Sequence, residues 1–172
     1  MCKFVKAVAF DFGHTLVREG FVDDRIELMP GVYEVLPQIH LPMAVWANTR
    51  TAGEMEVRRL LQLAQIEHYF SSVVTSVDAG SRKPTAGFFD FALTKSNFQK
   101  EKVLFVCNQL NTDVLGAEAV GIRTAWLSGP AFRSADETMT MDDVKPSFIL
   151  TGFAQLLSLL QEVSDGVGPR KP

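Results

Sequence analysis

The feature that most restricts the fold of this chain is an alternation between short apolar runs and longer segments with helical periodicity. Two of the runs, 4–10 and 103–107, are almost continuously apolar. Strands that are covered on both faces of a parallel sheet have this character, whereas strands with one wet face alternate between apolar and polar residues. The pattern therefore predicts an α/β fold with a doubly wound, Rossmann-like parallel sheet and helices on both faces.

The same pattern predicts the individual elements. Five to six strands are expected, the weakest of them being the third. The expected strands cover 4–10, 43–47, 72–76, 103–107, 123–127 and 147–150, and the expected helices cover 30–39, 51–63, 85–93, 112–120 and 153–163. Gly121 follows the fourth of these helices, where a left-handed C-cap belongs.

The 172 residues have the length of a single domain. We expect one domain over 1–163, with a short flap or hairpin at 16–29. A loop rich in Ser, Asp and Met follows the fifth strand over 128–145, and we expect it to be mobile. The tail at 164–172 contains two glycines and two prolines, which predicts a flexible C-terminal segment.

Charge and cysteine content exclude several classes of function. The net charge is −3 and the 17 basic residues are scattered, which argues against nucleic-acid and membrane-surface partners. Cys2 and Cys107 provide neither a disulfide framework nor a zinc-ligand spacing. No secretion signal is expected at the start, and no apolar run approaches 18 residues. Together with the cysteine content, these features predict a cytoplasmic protein.

Candidate functional residues follow the predicted strands. Asp11 follows the first strand, Asn48 and Thr49 follow the second, and Asn108 and Asp113 follow the fourth. Lys83 precedes a helix. In an open parallel sheet, sites form beyond the carboxyl ends of the strands, so these side chains should converge on one edge. A single aspartate at such a position is more often a turn former or helix cap than a catalytic group.

Taken together and in this order, the residues resemble the haloacid dehalogenase-like (HAD) superfamily. Residues 11–15, Asp-Phe-Gly-His-Thr, are similar to its pattern Asp-x-Asp-x-Thr. The pair Lys83 and Pro84 is similar to the family's Lys-Pro at the start of a helix, and 107–113 is similar to its Gly-Asp-x4-Asp stretch. The resemblance runs over nearly the whole chain. It implies a HAD-like fold, and the short segments between the motifs leave no room for a large cap domain.

The resemblance also implies roles for these residues. Asp11 would be the nucleophile that attacks a phosphorylated substrate, and Lys83 would hold the charge of Asp11 and of the phosphoryl group. Mg²⁺ would be held by Asp11, the Gly13 carbonyl, Asn108 and Asp113. Substrate would be bound by Asn48, Thr49 and Lys83.

Three positions depart from the family pattern. Gly13 stands where phosphatases carry the aspartate that acts as general acid and base. Loss of a general acid and base typically lowers the rate by ~10²–10⁴-fold. Ala47 stands where a serine or threonine is usual. Asn108 replaces a metal-binding aspartate, which predicts weakly bound Mg²⁺. His14 replaces a glycine and is either a substitute acid and base or a turn residue.

These departures leave three functions open. The first is a weakened, Mg²⁺-dependent phosphatase, and the second is a non-catalytic protein that binds a phosphorylated ligand or a protein partner. The third is a hydrolase of other specificity that uses Asp11 without a conventional metal site. A site without a cap suits a bulky or macromolecular phosphorylated substrate, or closure by another subunit of an oligomer.

Overall fold

The chain forms one six-stranded sheet, all of whose neighbouring strands are parallel. The structure, a computed structural model, describes residues 4–18 and 25–164. The strands are β1 (Ala7–Phe10), β2 (Met43–Ala47), β3 (Phe70–Thr75), β4 (Val103–Cys107), β5 (Arg123–Leu127) and β6 (Phe148–Leu150). Their order across the sheet is β3-β2-β1-β4-β5-β6.

Helices connect the strands and cover both faces. The α-helices are α1 (Val32–Val35), α2 (Glu54–Leu63), α3 (Ser76–Ala79), α4 (Ala86–Ser96), α5 (Leu115–Ala119) and α6 (Gln155–Ser164). A π-helical turn, Leu110–Val114, leads into α5. Short 3₁₀ turns lie at Leu36–Gln38, Glu67–Tyr69 and Pro130–Phe132. No described helix is long and apolar enough to cross a membrane.

Two hydrophobic cores explain why the strands are apolar throughout. Val8 and Phe10 of β1 belong to the core on one face, together with buried residues of α1, α2 and α6. Ala7 and Ala9 point to the other core, where Trp46 packs with aromatic residues of α4 and β4. Because a strand sends successive side chains to opposite faces, each central strand must be apolar at every position. The predicted fold class is confirmed, and the described segments between the strands contain no large cap domain.

The expected helix at 30–39 is shorter than predicted. Helix α1 covers only Val32–Val35 and continues as the 3₁₀ turn Leu36–Gln38. Pro37 lies within that turn, and its missing N–H cannot supply the hydrogen bond that an α-helix needs there. The helix expected at 112–120 begins instead with the π-helical turn at Leu110, and α4 continues to Ser96 rather than ending at 93.

Other boundaries differ by a few residues. β3 begins at Phe70 rather than 72, and β1 begins at Ala7 rather than 4. Gly121 has a φ of +85°, in agreement with the left-handed cap expected after α5. The described ends of 16–29 pair as in the base of a hairpin, since Val17 and Leu28 form an antiparallel bridge. The predicted flexible tail lies almost entirely outside the described residues.

The sheet order places one crevice at its centre. β1 and β4 are neighbours, but β1 connects toward β2 on one side and β4 connects toward β5 on the other. The connections therefore diverge above the carboxyl ends of β1 and β4. Ligands of open α/β sheets bind at such a point. Asp11 and Asn108 are the residues that follow these two strands.

Candidate active site

Asp11 lies at the mouth of this crevice. Its backbone N–H donates to the Val106 carbonyl at 2.9 Å, which continues the pairing of β1 with β4 by one residue. The side chain is 11% exposed, so the carboxylate is nearly buried but still reaches the surface. The Thr15 hydroxyl lies 3.2 Å from Asp11 Oδ2 and donates to it.

Lys83 forms the centre of a buried charge cluster. Its Nζ lies 2.7 Å from Asp11 Oδ1 and 2.7 Å from Asp113 Oδ1, and its side chain is 1% exposed. The Trp46 carbonyl accepts a third hydrogen bond at 3.0 Å. An ammonium has three protons, so these three acceptors use all of them. Lys83 therefore faces Asp11, while its catalytic and substrate-binding roles stay predictions.

With both carboxylates ionised, the cluster carries one positive and two negative charges in a site that is almost dry. Burial alone disfavours the Lys83 ammonium, but Asp11 and Asp113 outweigh it and raise the pKa of Lys83. Burial and the neighbouring Asp11 charge raise the pKa of Asp113, and Lys83 opposes this shift. The Phe105 ring centroid lies 5.2 Å from Nζ and adds a cation–π contact. The surplus negative charge favours a cation at the rim.

Two contacts bring Lys83 to this position from a distant part of the chain. The Asn48 side chain accepts from the Lys83 N–H at 2.9 Å and donates to the Lys83 carbonyl at 3.0 Å. On the opposite side, Gly116 of α5 lies so close to Pro84 that an added Cβ would stand 2.6 Å from the Pro84 carbonyl oxygen. The Lys83 loop is therefore held between the end of β2 and helix α5.

Asn48 and Thr49 both use their side chains within the protein. The amide of Asn48 is engaged on both sides by the Lys83 backbone. The Thr49 hydroxyl donates to the Ala52 carbonyl at 2.6 Å, and the Thr49 N–H donates to the Ser76 hydroxyl. These contacts build the loop after β2, and the substrate-binding roles of Asn48 and Thr49 stay predictions.

Asn108 is oriented by its surroundings. Its Nδ2 donates to the Phe132 carbonyl at 2.9 Å, and its Oδ1 lies 3.4 Å from the Thr15 hydroxyl that also contacts Asp11. Trp126 Nε1 donates to the Asn108 backbone carbonyl at 3.0 Å. With the amide nitrogen held by the Phe132 carbonyl, the amide oxygen is directed to the Thr15 hydroxyl.

Asp113 contacts Lys83 rather than the open rim. Its Oδ1 is the second acceptor for the ammonium, and its Oδ2 accepts from the Gln109 N–H at 3.4 Å. The side chain is 2% exposed. Asp113 is thus arranged to hold Lys83, and its role as a metal ligand stays a prediction.

The described residues contain no cluster of three or more His, Cys, Asp or Glu side chains that could hold a metal ion. The Asp11 carboxylate and the Asn108 amide oxygen both contact the Thr15 hydroxyl, and Gly13 lies two residues beyond Asp11 in the chain. Mg²⁺ prefers oxygen ligands and keeps several waters, so such a set fits Mg²⁺. With one carboxylate and one amide it is a weaker site than two carboxylates would make.

His14 occupies the turn after Asp11. It has a φ of +56°, its backbone N–H donates to the Val17 carbonyl at 2.7 Å, and its side chain is half-buried. The left-handed conformation is uncommon for a non-glycine residue, and it matches the position where a glycine is usual. The catalytic role of His14 stays a prediction.

The loop over 128–145 contributes contacts that sequence reasoning missed. Glu137 accepts from the N–H of Leu110 at 2.5 Å and of Asn111 at 3.2 Å, at the start of the π-helical turn. Ser134 accepts from the Gln109 side chain at 2.8 Å. This loop, expected to be mobile, is hydrogen-bonded to the segment that carries Asn108 and Asp113. The only local signal was the carboxylate itself, because the contact spans 26 to 27 residues.

Comparisons with known proteins agree with this geometry. Residues 8–127 match the protein family described as haloacid dehalogenase-like hydrolase. Pyrimidine 5'-nucleotidase YjjG of Escherichia coli (strain K12) is 25% identical over 148 residues, which cover 84% of this chain and 63% of that protein. Glyceraldehyde 3-phosphate phosphatase of Methanothermobacter thermautotrophicus is 38% identical over 80 residues, which cover 46% of this chain and 34% of that protein. The chain spans less than two thirds of the length of these relatives.

Solved structures show the same fold. An uncharacterized protein from Listeria monocytogenes serotype 4b superposes with a TM-score of 0.75 at 26% identity, over 92% of this chain and 100% of that one. HAD-hydrolase YfnB from Bacillus subtilis, solved bound to magnesium, also superposes with a TM-score of 0.75. Its identity is 12%, over 91% of this chain and 99% of that one, so it supports the fold alone.

Proposed function

Because the chain belongs to the haloacid dehalogenase-like hydrolase family, we propose that it is a Mg²⁺-dependent phosphatase that acts through Asp11. The observation that carries this proposal is the buried cluster in which Lys83 holds the carboxylates of Asp11 and Asp113 at 2.7 Å each. Only Asp11 of the two carboxylates reaches the surface. A buried, fully hydrogen-bonded cluster with one exposed carboxylate suits a nucleophile held in a fixed orientation.

The chain's own residues supply positioning in this mechanism. Lys83 holds Asp11 Oδ1, and Thr15 donates to Oδ2, so the carboxylate cannot rotate freely. Asn108 directs its amide oxygen to the Thr15 hydroxyl that also contacts Asp11, and its amide nitrogen donates to the Phe132 carbonyl. Mg²⁺, held by Asp11, the Gly13 carbonyl, Asn108 and water, would neutralise the phosphoryl oxygens as they approach the carboxylate.

The proposed reaction has two steps. The Asp11 carboxylate attacks phosphorus, and the bond between phosphorus and the alcohol oxygen breaks; the alcohol leaves with the bonding pair and takes a proton from water. Water then attacks the phosphorus of the aspartyl phosphate and gives a proton to the hydroxide left by the first step; the bond between phosphorus and the Asp11 oxygen breaks, which releases inorganic phosphate and restores the carboxylate. Without a carboxylate at Gly13, both steps proceed more slowly than in an enzyme with a general acid and base.

The relatives support a small phosphorylated substrate. Their names describe phosphatases of a nucleotide, of glyceraldehyde 3-phosphate and, in Halopiger xanaduensis, of ribulose-1,5-bisphosphate. We therefore propose a phosphorylated small molecule as the substrate class. A bulky or macromolecular substrate, an oligomer and a cytoplasmic location remain predictions from the sequence.

The test is hydrolysis of an aryl phosphate with Mg²⁺ by the native chain and by Asp11→Asn. An aryl oxide leaves without help from an acid, so the substrate suits a site with glycine at position 13. We expect Asp11→Asn to lower kcat/KM by at least about 10³-fold, since the nucleophile is lost. Asp90→Asn, an exposed aspartate on α4, is the matched control. Equal rates for the native chain and Asp11→Asn would contradict the proposal.

A second candidate is a non-catalytic protein that binds a phosphorylated ligand, and the missing side chain at Gly13 favours it. Gly13→Asp distinguishes the two, because a restored acid should accelerate alkyl phosphates more than aryl phosphates. If His14 already supplies the acid, His14→Ala should abolish alkyl phosphate turnover instead. If neither variant nor the native chain hydrolyses any phosphate ester while circular dichroism shows an intact fold, the non-catalytic function is correct.

A further inference from the structure

A cavity at the carboxyl end of β5 adjoins the candidate active site. Its volume is about 330 Å³, the size of a small-molecule site. Asn108 forms the wall that it shares with the active site. The Asn108 side-chain oxygen contacts the Thr15 hydroxyl, which also contacts Asp11, whereas its backbone carbonyl accepts from Trp126, which lines the cavity. Asn108 therefore links the surroundings of Asp11 to the cavity.

One positive side chain without an ion-pair partner among the described residues lines the cavity. Arg133 lines it and is exposed, and within the described ranges no carboxylate oxygen lies within 4.0 Å of its guanidinium. Glu137 also lines it, but both of its oxygens accept from backbone N–H groups of the π-helical turn. Arg133 directly follows Phe132, whose carbonyl accepts from the Asn108 amide. The backbone of Arg133 is therefore held next to Asn108, the residue that the cavity shares with the candidate active site.

The remaining surface of the cavity combines two serines, Ser128 and Ser134, with an apolar part. Trp126 is half-buried, and its Nε1–H donates to the Asn108 carbonyl, so the ring contributes an apolar face to the cavity. Leu127 and Met139 complete this part of the lining. Arginine binds carboxylates and phosphates through paired N–H groups, and an aromatic face suits a flat or apolar body beside the charge.

We propose that this cavity binds the alcohol portion of the substrate and selects phosphate monoesters that carry a second anionic group. The second group, a carboxylate or phosphate, pairs with Arg133, and a compact body between the two anions packs on Trp126. This inference rests on the proposed phosphatase function, and it narrows the substrate class from any small phosphate ester to acidic ones.

The test compares phenyl phosphate with 4-carboxyphenyl phosphate and 1,4-phenylene bisphosphate, which separate the two kinds of second anion. For each variant, the preference is the ratio of kcat/KM for an acidic probe to kcat/KM for phenyl phosphate, so that differences in leaving group cancel between variants. We expect Arg133→Gln to lower this preference by about 10- to 100-fold, the range for a hydrogen bond to a charged group. Arg133→Lys should restore part of it.

Arg59→Gln is the matched control, because Arg59 is an exposed arginine on α2, outside the cavity lining. It should retain the native preference, and a loss as large as that of Arg133→Gln would show a general charge effect and overturn the proposal. Equal preferences for Arg133→Gln and the native chain would also overturn it, while turnover that depends on Asp11 would leave the phosphatase function standing.

A binding measurement decides the case in which no ester is hydrolysed. Benzylphosphonate and 4-carboxybenzylphosphonate resist hydrolysis, and their Kd values can be measured by calorimetry with Mg²⁺ present. If Arg133→Gln weakens only the carboxylated probe, by about 10- to 100-fold, the cavity is an acid-selective site even though the phosphatase function has failed. Equal Kd values for the native chain and Arg133→Gln overturn the assignment.

Discussion

The cluster around Lys83 and a second cluster of charges on the surface contain similar groups in different environments. In the Lys83 cluster, the side chains of Lys83, Asp11 and Asp113 are 1%, 11% and 2% exposed. The surface cluster consists of Glu54, Arg58, Glu67 and Lys95, whose side chains are 27–31% exposed. Both have short ion pairs. Only the buried cluster has to satisfy every donor, because water cannot replace a missing partner there.

The difference shows that the distance within an ion pair does not by itself measure how much the pair contributes to stability. A surface pair exchanges its contacts with water and contributes little, whereas a buried charge without its partner is costly. The surface cluster is also electrically balanced, with two acids and two bases. The buried cluster has two acids and one base, which leaves a negative charge at the position where the proposed Mg²⁺ would bind.

The largest effect is expected from removing the centre of the buried cluster. Lys83→Met leaves two carboxylates facing each other in a dry site and should lower the free energy of unfolding by about 3–5 kcal/mol. Lys95→Met makes the same chemical change in the surface cluster and should cost less than about 1 kcal/mol. Urea unfolding of both variants at pH 7 measures the difference. Equal losses would mean that burial does not separate the two clusters.

A smaller effect is expected from adding a charge to the buried cluster. Asn108→Asp puts a further carboxylate beside Asp11 and removes the hydrogen bond from Nδ2 to the Phe132 carbonyl. Without metal, the variant should be less stable by about 2 kcal/mol. It should also bind Mg²⁺ about tenfold more tightly, because a charged oxygen replaces an amide oxygen.

Calorimetric titration with Mg²⁺ and urea unfolding in a chelator check both parts of this prediction. Gln62→Glu is the matched control, since it converts an exposed amide on α2 to a carboxylate away from the cluster. Unchanged or weaker Mg²⁺ binding by Asn108→Asp would show that Asn108 does not face the metal.

The smallest effect concerns pH and the surface cluster. The hydrogen bond from Lys95 is the largest cause that lowers the pKa of Glu54; burial opposes it, and the hydrogen bond from Arg58 and the charges of Lys95 and Arg58 lower the pKa further. A carboxyl whose pKa is lower in the folded state stabilises the fold above its unfolded pKa of 4.5, and that contribution disappears as the pH falls through the lower folded value. Solvent screening keeps it below about 1 kcal/mol.

Glu54→Gln isolates this contribution. The native chain should be more stable than the variant at pH 6, and the gap should close as the pH falls from 5 to 3. Thermal unfolding across this range, at low ionic strength, measures the gap. A gap that widens in acid would mean that Glu54 is not stabilised as a carboxylate.

Local sequence was sufficient to predict the sheet and the approximate location of the site. Strand positions were recognisable because a strand covered on both faces must be apolar at each residue, as β1 and β4 are. Asp11, Lys83, Asn108 and Asp113 were recognisable because they stand at strand and helix ends in a family-like order. Helix boundaries were less predictable, and the 3₁₀ turn at Pro37 and the π-helical turn at Leu110 shortened or shifted two of them.

Only the tertiary structure decided what each of these side chains contacts. Sequence order alone did not indicate that Asn48 engages the Lys83 backbone, 35 residues away, or that Glu137 holds the segment after β4. Such contacts depend on where strand ends and loops meet in space, and a polar side chain has no periodic pattern that reveals its partner. The amino-acid sequence determined which residues reach the central crevice. Packing around Gly116, Phe132 and Lys83 determined which oxygen atoms remain there to meet a ligand.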